Sequence, residues 1–228
     1  MTELAVSIAL FTAMHGISST RLRPWFIARF GRKAFMLLLS ALTTILFIWM
    51  WFAYRRATHD VETVLWVSDM NIRIFSAAIM YIAILLLVWM ASNRPRVLIS
   101  GEHLLHDEKD VRGVLRITRH PMMWPLAMWA LVHMLNNGDA AGLLYFGYFA
   151  VLATGGTLMI DARRKRHMGA GWAAIAAVSS NVPFAAIISG RNHLDLRELG
   201  WWRPLAAFFI WAAILHFHQA LTGFAIFL

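Results

Sequence analysis

Ten histidines and no cysteine define the chemistry this chain can offer. Without thiols there are no disulfides, thiolate metal sites, iron–sulfur clusters or cysteine nucleophiles. Neutral imidazole, by contrast, is the commonest biological metal ligand and an axial ligand of heme iron. His15, His133, His216 and His218 fall inside long apolar runs, and His120 stands at the mouth of another. No Asp, Glu or Lys lies in the middle of these runs, and Asp139 and Asp161 occupy only their ends. A carboxylate relay for protons or cations therefore has little to work with, which turns attention to the imidazoles. The plain alternative for any one of them is a hydrogen bond to a neighbouring helix.

Helical geometry limits which histidines can share a ligand. At about 100° per residue, His120 and His133 lie on nearly opposite faces of one continuous helix, and His216 and His218 are separated by about 200°. Two facing imidazoles about 4 Å apart can hold an iron between them. By depth in the apolar runs, each about 20 Å from the basic end, His133 is matched by His216, while His15 lies closer to the basic side. Ser18 and Ser19, three and four residues after His15, could orient its ring. Arg119-His120-Pro121 gathers donors at a helix start, because Pro favours the first turn and helix N-termini attract anions. A propionate, carboxylate or phosphate would suit that mouth, and so would a lipid headgroup.

The elements that must position these residues are membrane spans. Of 228 residues, 60% are hydrophobic and 14% charged, against about 45–50% and about 25% in soluble domains. The apolar residues form six runs, Leu4–Ser19, Ala34–Tyr54, Ile72–Ala91, Met122–Leu135, Ala140–Ile160 and Trp202–Leu228. Four of them reach the ~20 residues needed to cross a bilayer, and the first and fourth are short. The connections after the first, third and fifth runs, with Arg203, carry 18 of the 21 basic residues, leaving Arg55, Arg56 and Arg73 on the other side. That asymmetry places both termini in the periplasm and the basic loops in the cytoplasm of a bacterial inner membrane. It also explains the net charge of +9 without nucleic acid, as attraction to anionic headgroups.

The expected fold is thus an all-α polytopic transmembrane bundle, one integral membrane domain over residues 1–228. A further apolar stretch, Trp172–Ile188, is interrupted by Ser179-Ser180-Asn181 and Pro183. It reads as a broken re-entrant or interfacial segment on the cytoplasmic side, because an interior Pro breaks a helix.

Several segments together carry a family resemblance. They are Met14-His15-Gly16-Ile17-Ser18-Ser19, Arg119-His120-Pro121, Trp129 through His133 to Asn136-Asn137-Gly138-Asp139, Asp161-Ala162-Arg163-Arg164 and Val182-Pro183-Phe184 through Gly190-Arg191. Over essentially the whole chain they resemble the NnrU family, bacterial membrane proteins associated with denitrification and nitric oxide metabolism, with the related 15-cis-zeta-carotene isomerases. The resemblance implies heme b, with His15 and His133 as the iron ligands and His120 matching a third family histidine. It also implies cis–trans isomerisation of a hydrophobic polyene or a part in nitric oxide metabolism. Arg119 beside His120 would serve the cofactor, and His216 is the second choice for the iron. The isomerases carry a Cys three residues before the second His as an alternate ligand, and here that place is Ala130.

Two alternatives accompany this reading. One is a non-enzymatic heme-binding accessory protein. The other is an S-adenosylmethionine-dependent methyltransferase, since Arg-His-Pro followed by an acidic-Arg-Arg stretch and Val-Pro-Phe is similar to isoprenylcysteine carboxyl methyltransferases. The paired carboxylates of that family are reduced here to Asp161 beside Ala162.

Overall fold

A computed structural model describes residues 1–17, 22–59, 64–92 and 108–227. Helices dominate, and each apolar run has become one. They are α1 (Thr2–Ile17), α2 (Leu22–Phe30), α3 (Arg32–His59), α4 (Met70–Ser92), α5 (Val114–Ile117), α6 (Met123–Asn136), α7 (Ala140–Met168), α8 (Ala170–Val178), α9 (Ala185–Ile188), α10 (Leu196–Leu199) and α11 (Trp202–Thr222). Two short strands, β1 (Val64–Trp66) and β2 (Gly138–Asp139), pair antiparallel.

Among the described residues, α3, α4, α7 and α11 are long and apolar enough to cross a membrane. The two short runs became α1, of 16 residues, and α6, of 14. At about 1.5 Å per residue these fall short of a ~30 Å hydrocarbon core. Leu37 and Ile45 on α3, Leu158 and Met159 on α7, and Phe209 and Leu221 on α11 point outward and exposed. Lipid, rather than water, suits so apolar an exterior.

The chain divides into two compact units. The first comprises Met1–Val67 with Asn137–Tyr148. In it α1 packs along α3, tied at one end by Glu3, which accepts from Trp49 Nε1 at 2.9 Å and pairs with Arg56. Tyr54 of α3 stacks on Tyr145 of α7 with ring centroids 4.6 Å apart. The Asn-Gly-Asp turn has a local explanation here. Gly138 lies so close to β1 that a Cβ would stand 2.7 Å from Trp66 Cγ. Asp139 accepts from Gly142 N–H at 2.7 Å, capping the start of α7.

The second unit comprises Ser68–Asn136 with Phe149–Leu228. Here α4 packs against α6 and α11. Asn136 donates to Ser76 Oγ at 2.7 Å, and Trp211 Nε1 to the Ala77 carbonyl at 2.8 Å. The apolar stretch expected to be broken is broken: α8 stops at Val178, Ser179 is extended, and helix resumes only at Ala185. Arg191 closes that break by donating to the carbonyls of Ala176, Ala177 and Ser179, and Asn192 donates to that of Val178. A basic side chain thereby satisfies the orphan carbonyls of a helix end. Glu108–Asp110 form one turn of 3-10 helix.

Candidate functional site

The second unit holds two histidine sites of opposite character. The first surrounds Arg119-His120-Pro121, between α5 and α6. His120 is buried at 4% exposure, and its Nε2–H donates to Asp161 Oδ1 at 2.7 Å. Arg119 Nε donates to both oxygens of Asp161 at 3.0 Å, with Nη2 on the same carboxylate. The arginine also lies 5.3 Å over the Trp172 ring, with Arg164 at 5.8 Å from that ring. Asn181 Nδ2 donates to Thr157 Oγ1 at 2.9 Å and to Asp161 Oδ2 at 3.4 Å.

Backbone strands this knot together. Arg119 N–H donates to the Ser180 carbonyl at 3.0 Å, Phe184 N–H to that of Ile117 at 2.8 Å, and Thr118 Oγ1 to that of Asn181 at 2.6 Å. Phe184 takes φ 65°, a left-handed conformation that a bulky aromatic residue adopts only when its surroundings hold it there. Beside the knot, Glu198 accepts from Arg116 Nε at 2.8 Å, Arg116 Nη2 at 3.0 Å and Gly113 N–H at 2.6 Å. The Arg116 hydrogen bonds hold the Glu198 carboxyl below its ordinary range, outweighing partial burial, and the Gly113 amide adds to them.

Chemically, the knot is a closed pairing. A carboxylate only accepts, so His120 Nε2 carries a proton and is spent on Asp161. Arg119 is likewise engaged by that carboxylate. A propionate or phosphate reaching Arg119 would have to compete with Asp161.

The second site lies between α6 and α11. His133 Nδ1–H donates to the Trp129 carbonyl, one turn back on α6, at 2.7 Å. A carbonyl cannot donate, so the lone pair of this ring belongs to Nε2, the form in which histidine binds metals. The Trp129 indole flanks the ring at 5.1 Å and meets Phe149 edge-on at 5.6 Å. On α11, His218 lies with its ring centroid 6.3 Å from that of His133, the planes 33° apart. Its neighbour His216 is exposed and packs edge-on against Phe217, 4.7 Å away.

His15 belongs to the first unit, exposed on α1 and stacked on Phe11 at 5.5 Å. Ser18 and Ser19, expected to orient it, lie outside the described residues. Among the described residues, no group of three or more His, Asp or Glu converges to hold a metal ion. Two residues escaped the sequence reading. The sequence reading gives Asp161 as a carboxylate at a span end and as part of the acidic-Arg-Arg segment without assigning it a partner, although a lone carboxylate within an otherwise apolar and basic helix demands a cationic one. His218 was noted without a partner.

Apolar helices with lipid-facing exteriors and polar contacts held inside make this an α-helical membrane protein. The family model described as NnrU protein matches residues 3–226, and the chain belongs to that family. No curated protein and no solved structure matches it.

Proposed function

We propose that this is a heme b protein of the bacterial cytoplasmic membrane, with six spans, both termini periplasmic and the Arg119–Asp161 knot on the cytoplasmic side. The observation that carries the reading is the state of His133. It sits in an apolar helix with Nδ1–H on the Trp129 carbonyl and Nε2 as the lone-pair nitrogen. A single imidazole with its lone pair on Nε2 in an apolar helix suits a metal that brings most of its own ligands, as porphyrin iron does. The family resemblance implies His15 as the partner of His133 and matches His120 to a third family histidine, while Arg119 enters as a donor at the same helix start.

When bound, such a heme would supply an iron able to polarise or exchange an electron with a conjugated double bond, or to bind nitric oxide. The chain's own part is to hold the iron through His133, to keep water away with the Trp129 and Phe149 aromatics, and to admit a hydrophobic ligand from the lipid. As an enzyme it would be a cis–trans isomerase of a polyene. As a non-catalytic protein it would serve nitric oxide metabolism. Ala130 is fully buried where the related isomerases carry Cys, so a switch of iron ligation to thiolate is not open to this chain.

The test is purification of the full chain from heme-supplied cells, followed by an optical spectrum. A Soret band is expected, with its intensity per protein reduced in His133→Ala. A well-folded protein without that band overturns the proposal. Incubation with 15-cis-zeta-carotene and chromatography of the products then separates isomerase from accessory protein.

A further inference from the structure

In the first unit, the strand β1 exposes both of its faces. Val64 is 59% exposed, Leu65 58% and Val67, just past the strand, 79%. Trp66 lies against Gly138 and is still 37% exposed. Side chains alternate along a strand, so Val64 and Trp66 stand on one face and Leu65 and Val67 on the other. A connection bathed in water is built from polar and turn-forming residues. Four consecutive apolar side chains held out from the fold call instead for an apolar neighbour.

The two long helices of this unit set the depth at which that neighbour is met. The apolar run of α3 ends at Tyr54, followed by Arg55 and Arg56. Tyr54 stacks on Tyr145 of α7, so the hydrocarbon edge marked by α3 is level with Tyr145. At about 1.5 Å per residue, Asp139 stands about 9 Å further out. The apolar run of α7 itself begins at Ala140, directly after Asp139. Because Val64 pairs with Asp139 and Trp66 with Gly138, β1 is tied between these limits. By the measure of α7 it lies at the hydrocarbon edge, and by that of α3 about 9 Å outside it. The headgroup layer adds roughly 5–8 Å to each side of a ~30 Å core, which Leu and Trp side chains on β1 can reach into. Trp is enriched at that depth in membrane proteins. Gly138 makes the placement possible, since its missing side chain lets Trp66 close onto the start of α7.

We propose that β1 with Val67 is an interfacial anchor, whose apolar side chains insert between headgroups and acyl chains at the end where α3 leaves the membrane and α7 enters it. The occupant is lipid because the spans flanking the strand already meet it, α3 through the exposed Ile48 and Phe52. A strand of three residues is also a poor edge for pairing with another chain. This placement is independent of the heme reading.

The chain has no cysteine, so single cysteines can carry a nitroxide without background labelling. Leu65→Cys, Val67→Cys, Ile45→Cys and Lys109→Cys of the full chain are labelled and reconstituted in vesicles of phosphatidylethanolamine and phosphatidylglycerol. Power saturation of the electron paramagnetic resonance signal then reads collisions with oxygen and with a water-soluble nickel chelate. Ile45, exposed on the span α3, gives the lipid reference, and Lys109, exposed in its 3-10 turn, the water reference. Labels at 65 and 67 should meet oxygen freely and largely lose contact with nickel, at a ratio between the two references. Nickel access equal to that at Lys109 would place the strand in water and overturn the proposal. Shielding from both reagents would mean that protein covers it, which overturns the proposal equally. Unlabelled protein gives a second reading that does not depend on the label. The fluorescence difference between wild type and Trp66→Phe should be quenched by lipid brominated near the top of the acyl chain, and an unquenched difference also counts against the anchor.

Discussion

His120 and His133 stand thirteen residues apart around the start and along the length of α6, yet their environments are opposite. His120 gives Nε2–H to a carboxylate shared with an arginine, among loops stitched by backbone hydrogen bonds. His133 gives Nδ1–H to a carbonyl of its own helix, among aromatic rings. A carboxylate partner turns an imidazole into part of an ion-pair network, whereas a carbonyl partner at Nδ1 fixes the tautomer of a neutral ring and puts its lone pair on Nε2. Histidine in a membrane helix is thus no single signal, and the partner of its first nitrogen decides what the second can do.

The largest effect that would sharpen this contrast comes from Asp161. Asp161→Ala leaves Arg119 and His120 without their shared carboxylate, and breaking so largely buried an ion pair costs about 3–5 kcal/mol. Thermal unfolding in detergent should show that loss. Unchanged stability would mean the knot holds nothing together. Removing one imidazole should separate the two regions further. His120→Ala should lower stability by about 1–3 kcal/mol, through the acceptor left unpaired, and retain bound heme, read from the Soret absorbance per protein.

Outside both regions, Gly138→Ala drives a Cβ onto the Trp66 carbonyl oxygen as well as to 2.7 Å from Trp66 Cγ, so the backbone of β1 must shift. Overpacking of that kind costs about 1–3 kcal/mol, to be read from unfolding temperature with the His133 environment unchanged. The smallest effect concerns Glu198, whose carboxyl is held below its ordinary range by Arg116. Its contribution is present at pH values above the unfolded-state value of about 4.3 and is lost as pH falls through the lower folded value. An acid unfolding profile of Glu198→Gln should therefore be flatter than wild type below that range and parallel to it near neutrality.

Much of this architecture is legible in the sequence because a bilayer demands long uninterrupted apolar runs, and α3, α4, α7 and α11 answer that demand. The break after Val178 was legible too, since Ser179-Ser180-Asn181 and Pro183 interrupt an apolar stretch. The continuous helix expected from His120 to His133 is not formed, since α6 begins only at Met123, so their separation does not follow from 100° per residue. What was hidden depends on contacts between distant segments. Asp161 reaches His120 across 41 residues, and hydropathy carries no trace of that pairing. Periodicity allows only one of His216 and His218 to face inward. Which one does so depends on the rotation of α11 and on the turn at Gly223, and neither can be read from spacing. The Asn-Gly-Asp segment carried resemblance but no reason until Gly138 met Trp66 and Asp139 capped α7.

The central claim is that His133 is the imidazole that binds iron and His120 the one that binds a carboxylate. Resonance Raman spectra of the heme-loaded His133→Ala and His120→Ala proteins test it most directly. The account predicts that iron–imidazole coordination from the protein is altered or lost in His133→Ala and unchanged in His120→Ala. An unaltered ligation spectrum in His133→Ala, together with a lost ligand in His120→Ala, would contradict it.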